Sequence, residues 1–542
     1  MSSSPLESYH EEFSDLSTLE EINQETHLSR RTKKTPTKKP RMKTPNVRMP
    51  FFHHFYLLVF SLIISLFSIV IPFFSDFANG IQTQNLYTGF MITQGQLPYT
   101  DLFATGGFLY YLTISFTYLV GSNLWILLFQ ILSFYVSGIY LYKIIFSLSQ
   151  KRGLALSVSS IFYFLNVTLG FGGLYPIQFS FLFFLPAMWF LLNYFKGQAK
   201  DEGFILYGIL CAFAILFDSR ALLFGLVALV VLSIYNLAHH YFARGFYQLL
   251  CLIFGLLLVF YSVGFVAFNM QIIVPYLQQT LIYPVTSITN SLETLLYSFG
   301  FYLVVTLGSG LLLGVLVFPL LLGKGTKDHA IKWVFFLSVL LYFIITVLTK
   351  SFEAYHVLPM VPFGLILTIL FLNHRSDGVN IEESGQFRHR QHLPKDSEIK
   401  GFGDFMLRHL LVPILVMGYG LGLPVYQYLI DAPLHQEREM IATYIATNTA
   451  DNDSIYVWDT VATIYQDSRR QSSSHLSLPL INTSDSVNQK RLEDEMLQNK
   501  ARYVVLNNNL ELPPLVKNTL DNHYQPISFE NIDHLTVYQL NP

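Results

Sequence analysis

The sequence predicts a polytopic α-helical membrane protein of about 11 spans with a small C-terminal α/β domain. Three observations carry that fold class. Of 542 residues, 52% are apolar and 16% aromatic, but only 13% are charged. A soluble domain carries roughly 25% charged residues. The mean hydropathy is +0.41. The charge that exists is crowded into the first fifty residues, the C-terminal segment and short loops between long apolar runs. This pattern excludes an ordinary soluble enzyme, a disordered chain and a nucleic-acid binder. A formal net charge of -2 points to no polyanionic partner. Cys211 and Cys251 lie inside apolar runs without metal-ligand spacing, so neither a disulfide framework nor a zinc site is expected.

Residues 1–50 begin acidic and turn basic between Arg30 and Arg48, with Ser, Thr and Pro between the charges. Such a segment cannot bury a core and is expected to be a disordered cytoplasmic tail. Its basic cluster suits topogenesis and attraction to anionic lipid. The first apolar run follows a tail too long and polar for a signal-peptide start, so it reads as a retained anchor.

A spanning helix needs about 20 apolar residues. Runs near that length sit at 52–74, 123–146, 154–172, 176–195, 246–270, 295–322, 331–349, 355–373 and 405–428. The stretch 203–237 reads as a helical hairpin broken by Asp218-Ser219-Arg220, which completes 11 spans within a membrane domain of 51–430. Gly107 to Gly121 is too short to span and suits an interfacial helix. The positive-inside rule supports this count. With the N-terminus cytoplasmic, 15 lysines and arginines fall in cytoplasmic loops, against Arg220 and Lys350 in outer ones. The expected location is the plasma membrane, multi-pass. Residues 75–122 form a first outer loop without Lys or Arg, and 374–404 a polar cytoplasmic loop. Residues 431–542 form an extracytoplasmic domain with strand-like runs at Ser454–Trp458, Tyr503–Leu506 and Leu535–Leu540.

Candidate chemistry gathers on the expected outer face. Asp76 and Asp101 stand in a loop otherwise devoid of charge, among aromatics. They read either as a general base and its helper or as helix caps. Arg220, Lys350 and the neighbouring His356 are outward bases that suit a phosphate, Arg by its planar fork and Lys as a point charge. The competing reading pairs Arg220 with Asp218 and lets Lys350 snorkel to headgroups. Mid-membrane acid pairs, which an ion-coupled transporter would need, are missing from the spans. No outer acid cluster calls for an obligatory metal.

Two motifs bring a family into view. The first loop carries Gly95, Pro98, Tyr99, Asp101 and Phe103 as Gly-x-x-Pro-Tyr-x-Asp-x-Phe, followed by a short Gly/aromatic helix. A later span opens with Tyr355-His356-x-Leu358-Pro359-x-x-Pro362, and the tail holds Ser454 to Asp459 and Ala501 to Leu506. This layout resembles the GT-C membrane glycosyltransferases of the bacterial protein mannosyltransferase and aminoarabinose transferase type (glycosyltransferase family 39-like) over most of 50–542. The resemblance implies an inverting enzyme that takes a sugar from a polyprenyl-phosphate donor and passes it to an envelope polymer, lipid or secreted protein. It implies a first-loop Asp (Asp76 or Asp101) as general base, phosphate contacts from Arg220, Lys350 and His356, and substrate contacts from Pro98, Tyr99 and Tyr355. The lipid-linked sugar is the donor substrate rather than a cofactor.

The sequence departs from that family at one key place. The acid usually found upstream of the Pro-Tyr pair is replaced here near Ile81-Gln82, and no acid lies between Asp76 and Asp101. The run after Phe103 is also altered, to Ala104-Thr105-Gly106-Gly107-Phe108. A second expectation therefore stands beside the first: a non-catalytic protein of the same layout that binds a lipid-linked sugar or a partner transferase in envelope assembly. A lipid-linked oligosaccharide flippase is the third.

Overall fold

The computed structural model describes residues 48–286, 291–322, 329–349, 352–383, 411–498, 500–530 and 532–541. The N-terminal tail and most of the 374–404 loop lie outside the described residues. Among the described residues, seven helices are long and apolar enough to cross a membrane: Leu124–Ser149, Arg152–Leu169, Pro176–Phe195, Ala221–Ala238, Phe242–Asn269, His329–Leu348 and Ala354–Leu372. Their surface supports a lipid environment. Along Phe242–Asn269, Phe246, Leu250, Phe254, Leu257, Leu258, Tyr261 and Phe265 are all exposed. A contiguous apolar face of that size is not sustained in water.

The count of 11 spans is therefore not matched by 11 long apolar helices, and the chain shows why. The first apolar run is helical only over Phe51–Ser65. Beyond it, Ile69 N–H donates to the Gly172 carbonyl at 2.9 Å, which draws 66–71 out of the helix and against the 170–174 turn. The hairpin 203–237 forms as Phe204–Phe217 and Ala221–Ala238, but its first arm has only 14 residues. The run 295–322 is helical over Leu292–Gly308 and then breaks at Gly310, whose φ of 75° is left-handed, into two four-residue turns. The last run belongs to a 38-residue helix, Leu411–Asn448, which passes residue 430 without a break and enters the C-terminal domain. The doubtful segment forms a 13-residue helix, Phe108–Val120, stopped by left-handed Gly121. At 1.5 Å per residue it is about 20 Å long, short of a 30 Å hydrocarbon core.

The C-terminal domain is a five-stranded mixed sheet in the order β2-β1-β3-β5-β4. Strand β1 (Ser454–Trp458) pairs in parallel with β2 (Gln471–Ser472) and β3 (Tyr503–Asn507). Strand β5 (Leu535–Leu540) runs antiparallel to both β3 and β4 (Tyr524–Ile527). Helices Thr463–Ser468, Pro479–Asn482, Ser486–Met496 and Pro514–His523 lie between the strands in sequence. Its alternating strand residues feed two cores, one around Ile455, Val457 and Val505, the other around Tyr456, Val504 and Leu506.

One element of the first loop ties this domain to the helix bundle. Helix Gly80–Thr93 starts in a capping box, in which Asn79 and Gln82 satisfy each other's backbone N–H groups. It carries the buried polar residues Gln82, Thr83, Gln84, Asn85 and Thr88. Burial of so many amides and hydroxyls requires partners, and the domain supplies many of them. Ala462 N–H donates to Thr83 Oγ1 at 3.0 Å, Gln84 Nε2 to Asn482 Oδ1 at 2.9 Å, and Ser472 N–H to the Tyr87 hydroxyl at 2.7 Å. Tyr87 stacks on Tyr465 at 5.0 Å.

Candidate functional site

Where the span ends meet the C-terminal domain, the chain encloses a cavity of about 440 Å³. The expected span boundaries put five connecting segments and the C-terminal domain on one face. All six reach this cavity: the first loop (Asn79, Asn85, Thr105), the turn at Tyr175, the Asp218–Arg220 break, Tyr283 with Pro284, the turn at Glu353, and Ile481 with Ser484 of the domain.

The Asp218–Arg220 turn is built to hold its side chains still. Asp218 Oδ1 accepts the Arg220 backbone N–H at 2.9 Å and Nε at 3.0 Å, and Oδ2 accepts Nη2 at 2.6 Å. The turn is further fixed by Ser219 Oγ donating to the Thr280 carbonyl at 3.0 Å and by the Tyr342 hydroxyl donating to the Arg220 carbonyl at 2.9 Å. Asp218 is nearly covered, its side chain 4% exposed, whereas Arg220 remains 26% exposed and lines the cavity. Among the described residues no group takes a hydrogen bond from Arg220 Nη1. Arg220 is paired with Asp218, and it still presents one edge to the cavity.

Glu353 is the second carboxylate on the wall, and sequence reasoning missed it. Its carboxyl has no hydrogen-bond or ion-pair partner among the described residues. Glu353 is exposed along the cavity wall, and desolvation by the protein around it raises its carboxyl above the ordinary carboxylate range. The signal was available: Glu353 is the sole acid in the short turn before the Tyr355-His356 motif. Tyr355 stacks on Tyr175 at 4.5 Å and meets the His356 ring at a tilt at 4.2 Å, and all three line the cavity. His356 Nε2 is enclosed and has no hydrogen-bond partner among the described residues.

The first-loop candidates stand elsewhere. Asp76 is exposed in the 3₁₀ turn Pro72–Phe77, where Ser75 Oγ donates to it at 3.2 Å. Asp101 is exposed and accepts the Leu97 N–H at 2.7 Å, closing a tight turn. Neither lines the cavity. Pro98 and Tyr99 are buried. Tyr99 takes a left-handed φ of 71° and donates its hydroxyl to the Gly106 carbonyl at 2.8 Å, which positions Thr105 and Gly106 on the wall. Lys350 lies outside the described residues. Where the resembling family carries its upstream acid, Gln82 donates to the Phe171 and Gly173 carbonyls at 2.8 and 2.7 Å, a structural duty that a carboxylate cannot perform. No group of three or more His, Cys, Asp or Glu is placed to hold a metal among the described residues.

Solved structures with partial likeness include ArnT from Cupriavidus metallidurans bound to undecaprenyl phosphate, at 13% identity, TM-score 0.48, covering 89% of this chain and 97% of that one. Arabinofuranosyltransferase AftD from Mycobacteria matches at 14% identity and TM-score 0.45, over 90% and 40%. The archaeal oligosaccharyltransferase AglB from Archaeoglobus fulgidus, in complex with an inhibitory peptide and a dolichol-phosphate, matches at 12% and 0.46, over 90% and 74%. At such scores the likeness transfers neither a residue nor an activity to this chain. No curated protein matches the sequence. Two family models do: "Putative competence-induced protein Ccs4 N-terminal domain" over residues 42–432 and the corresponding C-terminal domain over 435–541. Together they cover the membrane bundle and the sheet domain that meet at the cavity, and the chain belongs to the Ccs4 family.

Proposed function

We propose that this protein is a membrane glycosyltransferase that moves a sugar from a polyprenyl-phosphate donor to a hydroxyl of an envelope polymer, lipid or protein. The carrying observation is the convergence of five connecting segments and the C-terminal domain on one cavity that holds a fixed guanidinium edge and a carboxylate unpaired among the described residues. A sugar outside the cell arrives on a lipid, so such a site belongs at a membrane boundary. The positive-inside distribution of Lys and Arg supports an extracytoplasmic boundary.

The chemistry follows from the two groups. The acceptor oxygen bonds to the anomeric carbon as its proton passes to the Glu353 carboxylate. The bond from that carbon to the phosphate oxygen breaks on the opposite side, with inversion, and its electron pair leaves on the phosphate. The phosphate gains a second negative charge as Glu353 loses its own, so the cavity's net charge is unchanged through the step. Arg220 Nη1 faces the developing charge from a preorganised position. A carboxyl raised above its ordinary range accepts a proton more readily near neutral pH. Asp76 or Asp101 is the competing base assignment, and it requires the first loop to approach the cavity.

One experiment tests both assignments. Envelope glycans and glycoproteins are compared by mass between wild type, a deletion strain, and strains carrying Glu353→Gln, Arg220→Ala, Asp76→Asn or Asp101→Asn at equal membrane level. The first two variants are expected to lose the same monosaccharide as the deletion. Full restoration by Glu353→Gln rejects it as the base, and loss with Asp76→Asn or Asp101→Asn alone moves that role to the first loop. A second reading, binding of a lipid-linked sugar without transfer, is favoured by one fact: the first-loop helix contributes only the amides Asn79 and Asn85 as polar cavity groups. Donor binding with an unchanged glycan profile in the deletion strain selects it.

A further inference from the structure

The charge on the cavity wall constrains which phosphate it accepts. Among the described lining residues there is one cation, Arg220, against two carboxylates, Asp218 and Glu353. Asp218 engages both its oxygens with Arg220 and neutralises it at contact distance. Among the described residues, what remains is a single open N–H edge and, elsewhere on the same wall, an unpaired carboxylate. Those residues stabilise one negative charge by hydrogen bonding, but offer a full second charge no further cation.

Resting on the lipid-phosphate reading, we infer that the cavity selects a phosphate diester, which carries one charge, over a phosphate monoester, which carries two. A sugar-loaded carrier lipid is such a diester, and the spent carrier is such a monoester. The site therefore favours its donor and rejects its product once Glu353 gives up the transferred proton. Asp218 acts here as a positioning residue: it fixes the guanidinium and limits its charge, and its covered oxygens do not reach the ligand. The turn it belongs to is pinned from the bundle by Tyr342, from the 278–282 segment by the Thr280 carbonyl, and from the first loop by Gly107 N–H on the Phe217 carbonyl at 3.2 Å. The remaining titratable groups on the wall are Tyr175, Tyr283, Tyr342, Tyr355 and His356. They act on both ligands alike, because both place a phosphate at the same edge.

The test is competitive binding to the full-length protein in nanodiscs, with a polyprenyl monophosphate and its methyl diester as probes. At about pH 8 the monoester is dianionic, and near pH 5 it is monoanionic, because its second pKa is about 6. The diester is expected to bind about tenfold tighter at the higher pH, with the ratio falling toward unity at the lower one. The ratio cancels protein titrations that affect both probes. Asp218→Asn, which restores a net positive edge, is expected to shift the ratio toward the monoester. If that variant does not fold, the wild-type pH dependence still decides. A monoester that binds as well as the diester at about pH 8 overturns the charge selection while leaving the lipid-phosphate reading standing. Failure of both lipids to bind overturns that reading itself. Dimethyl phosphate competing as well as the lipid diester assigns the site to a soluble phosphodiester and removes the lipid from the proposal.

Discussion

Replacing Gly80 by alanine is expected to disturb the dock between the first loop and the C-terminal domain. A Cβ at Gly80 would stand 2.3 Å from the Thr460 carbonyl oxygen and 2.6 Å from Ile481 Cδ1. The isoleucine methyl can rotate away, but the carbonyl is main chain and cannot. Its turn is held by Arg438, which reaches Asp459 at 2.7 Å and Thr460 Oγ1 at 3.4 Å. Relief to an ordinary contact needs a shift of about 0.7–1 Å, and overpacking of that kind costs about 1–3 kcal/mol. Alanine's better helix propensity offsets less than about 1 kcal/mol of this. The net expectation is a melting temperature lower by roughly 1–3 °C, measured by thermal shift on purified protein. Because Asn79, Gly80 and Ile81 all line the cavity, the same displacement is expected to lower transfer by up to about 100-fold. Gly225→Ala, where no atom lies within 4 Å of the added carbon, is the matched control and is expected to melt no lower than wild type. A Gly80→Ala protein with wild-type melting and activity would refute the close approach of this helix to Thr460.

Three further expectations follow from the same contacts. Asp459→Asn leaves Arg438 charged and enclosed, since the two side chains are 0% and 5% exposed, and is expected to cost about 3–5 kcal/mol by denaturant unfolding. Glu495 resists burial, which pushes its carboxyl up, because His475, Ser474 and Arg491 donate to it and bring it down to about 2 from an ordinary 4.5. Its contribution is complete above pH 4.5 and is lost as pH falls toward 2, so Glu495→Gln should flatten the acid arm of a stability profile and leave its alkaline arm alone. Gln82→Glu puts a carboxylate opposite two carbonyl oxygens and is expected to destabilise the protein by roughly 2–5 kcal/mol, with no gain in transfer. A stable, more active Gln82→Glu protein would instead return the base to the first loop.

Much of the outline was legible from residue order. The break at Asp218-Ser219-Arg220 was visible as polar residues interrupting an apolar run, and it appears as the turn between Phe204–Phe217 and Ala221–Ala238. Strands β1, β3 and β5 were visible as short β-branched and aromatic runs. Strands β2 and β4 were not, because a two-residue strand and one carrying Pro526 have no periodicity to read. Helix Gly80–Thr93 escaped notice as a dock because its buried side is polar. An amide-rich helix looks like a solvated one until its partners are known.

Composition and periodicity alone determined that this chain is an apolar helical bundle with a polar α/β tail, since both depend on local residue character and on transfer from water. The distribution of Lys and Arg along the chain gives each connecting segment an expected side, because each span reverses direction. Tertiary structure decided which carboxylates share a cavity with the guanidinium. Asp218 sits two residues from Arg220, but Glu353 arrives from a turn 133 positions away, and Asp101 is drawn off to close its own turn. Contacts between distant segments depend on how helices pack and where each one ends, and neither quantity is carried by the pattern of any single segment.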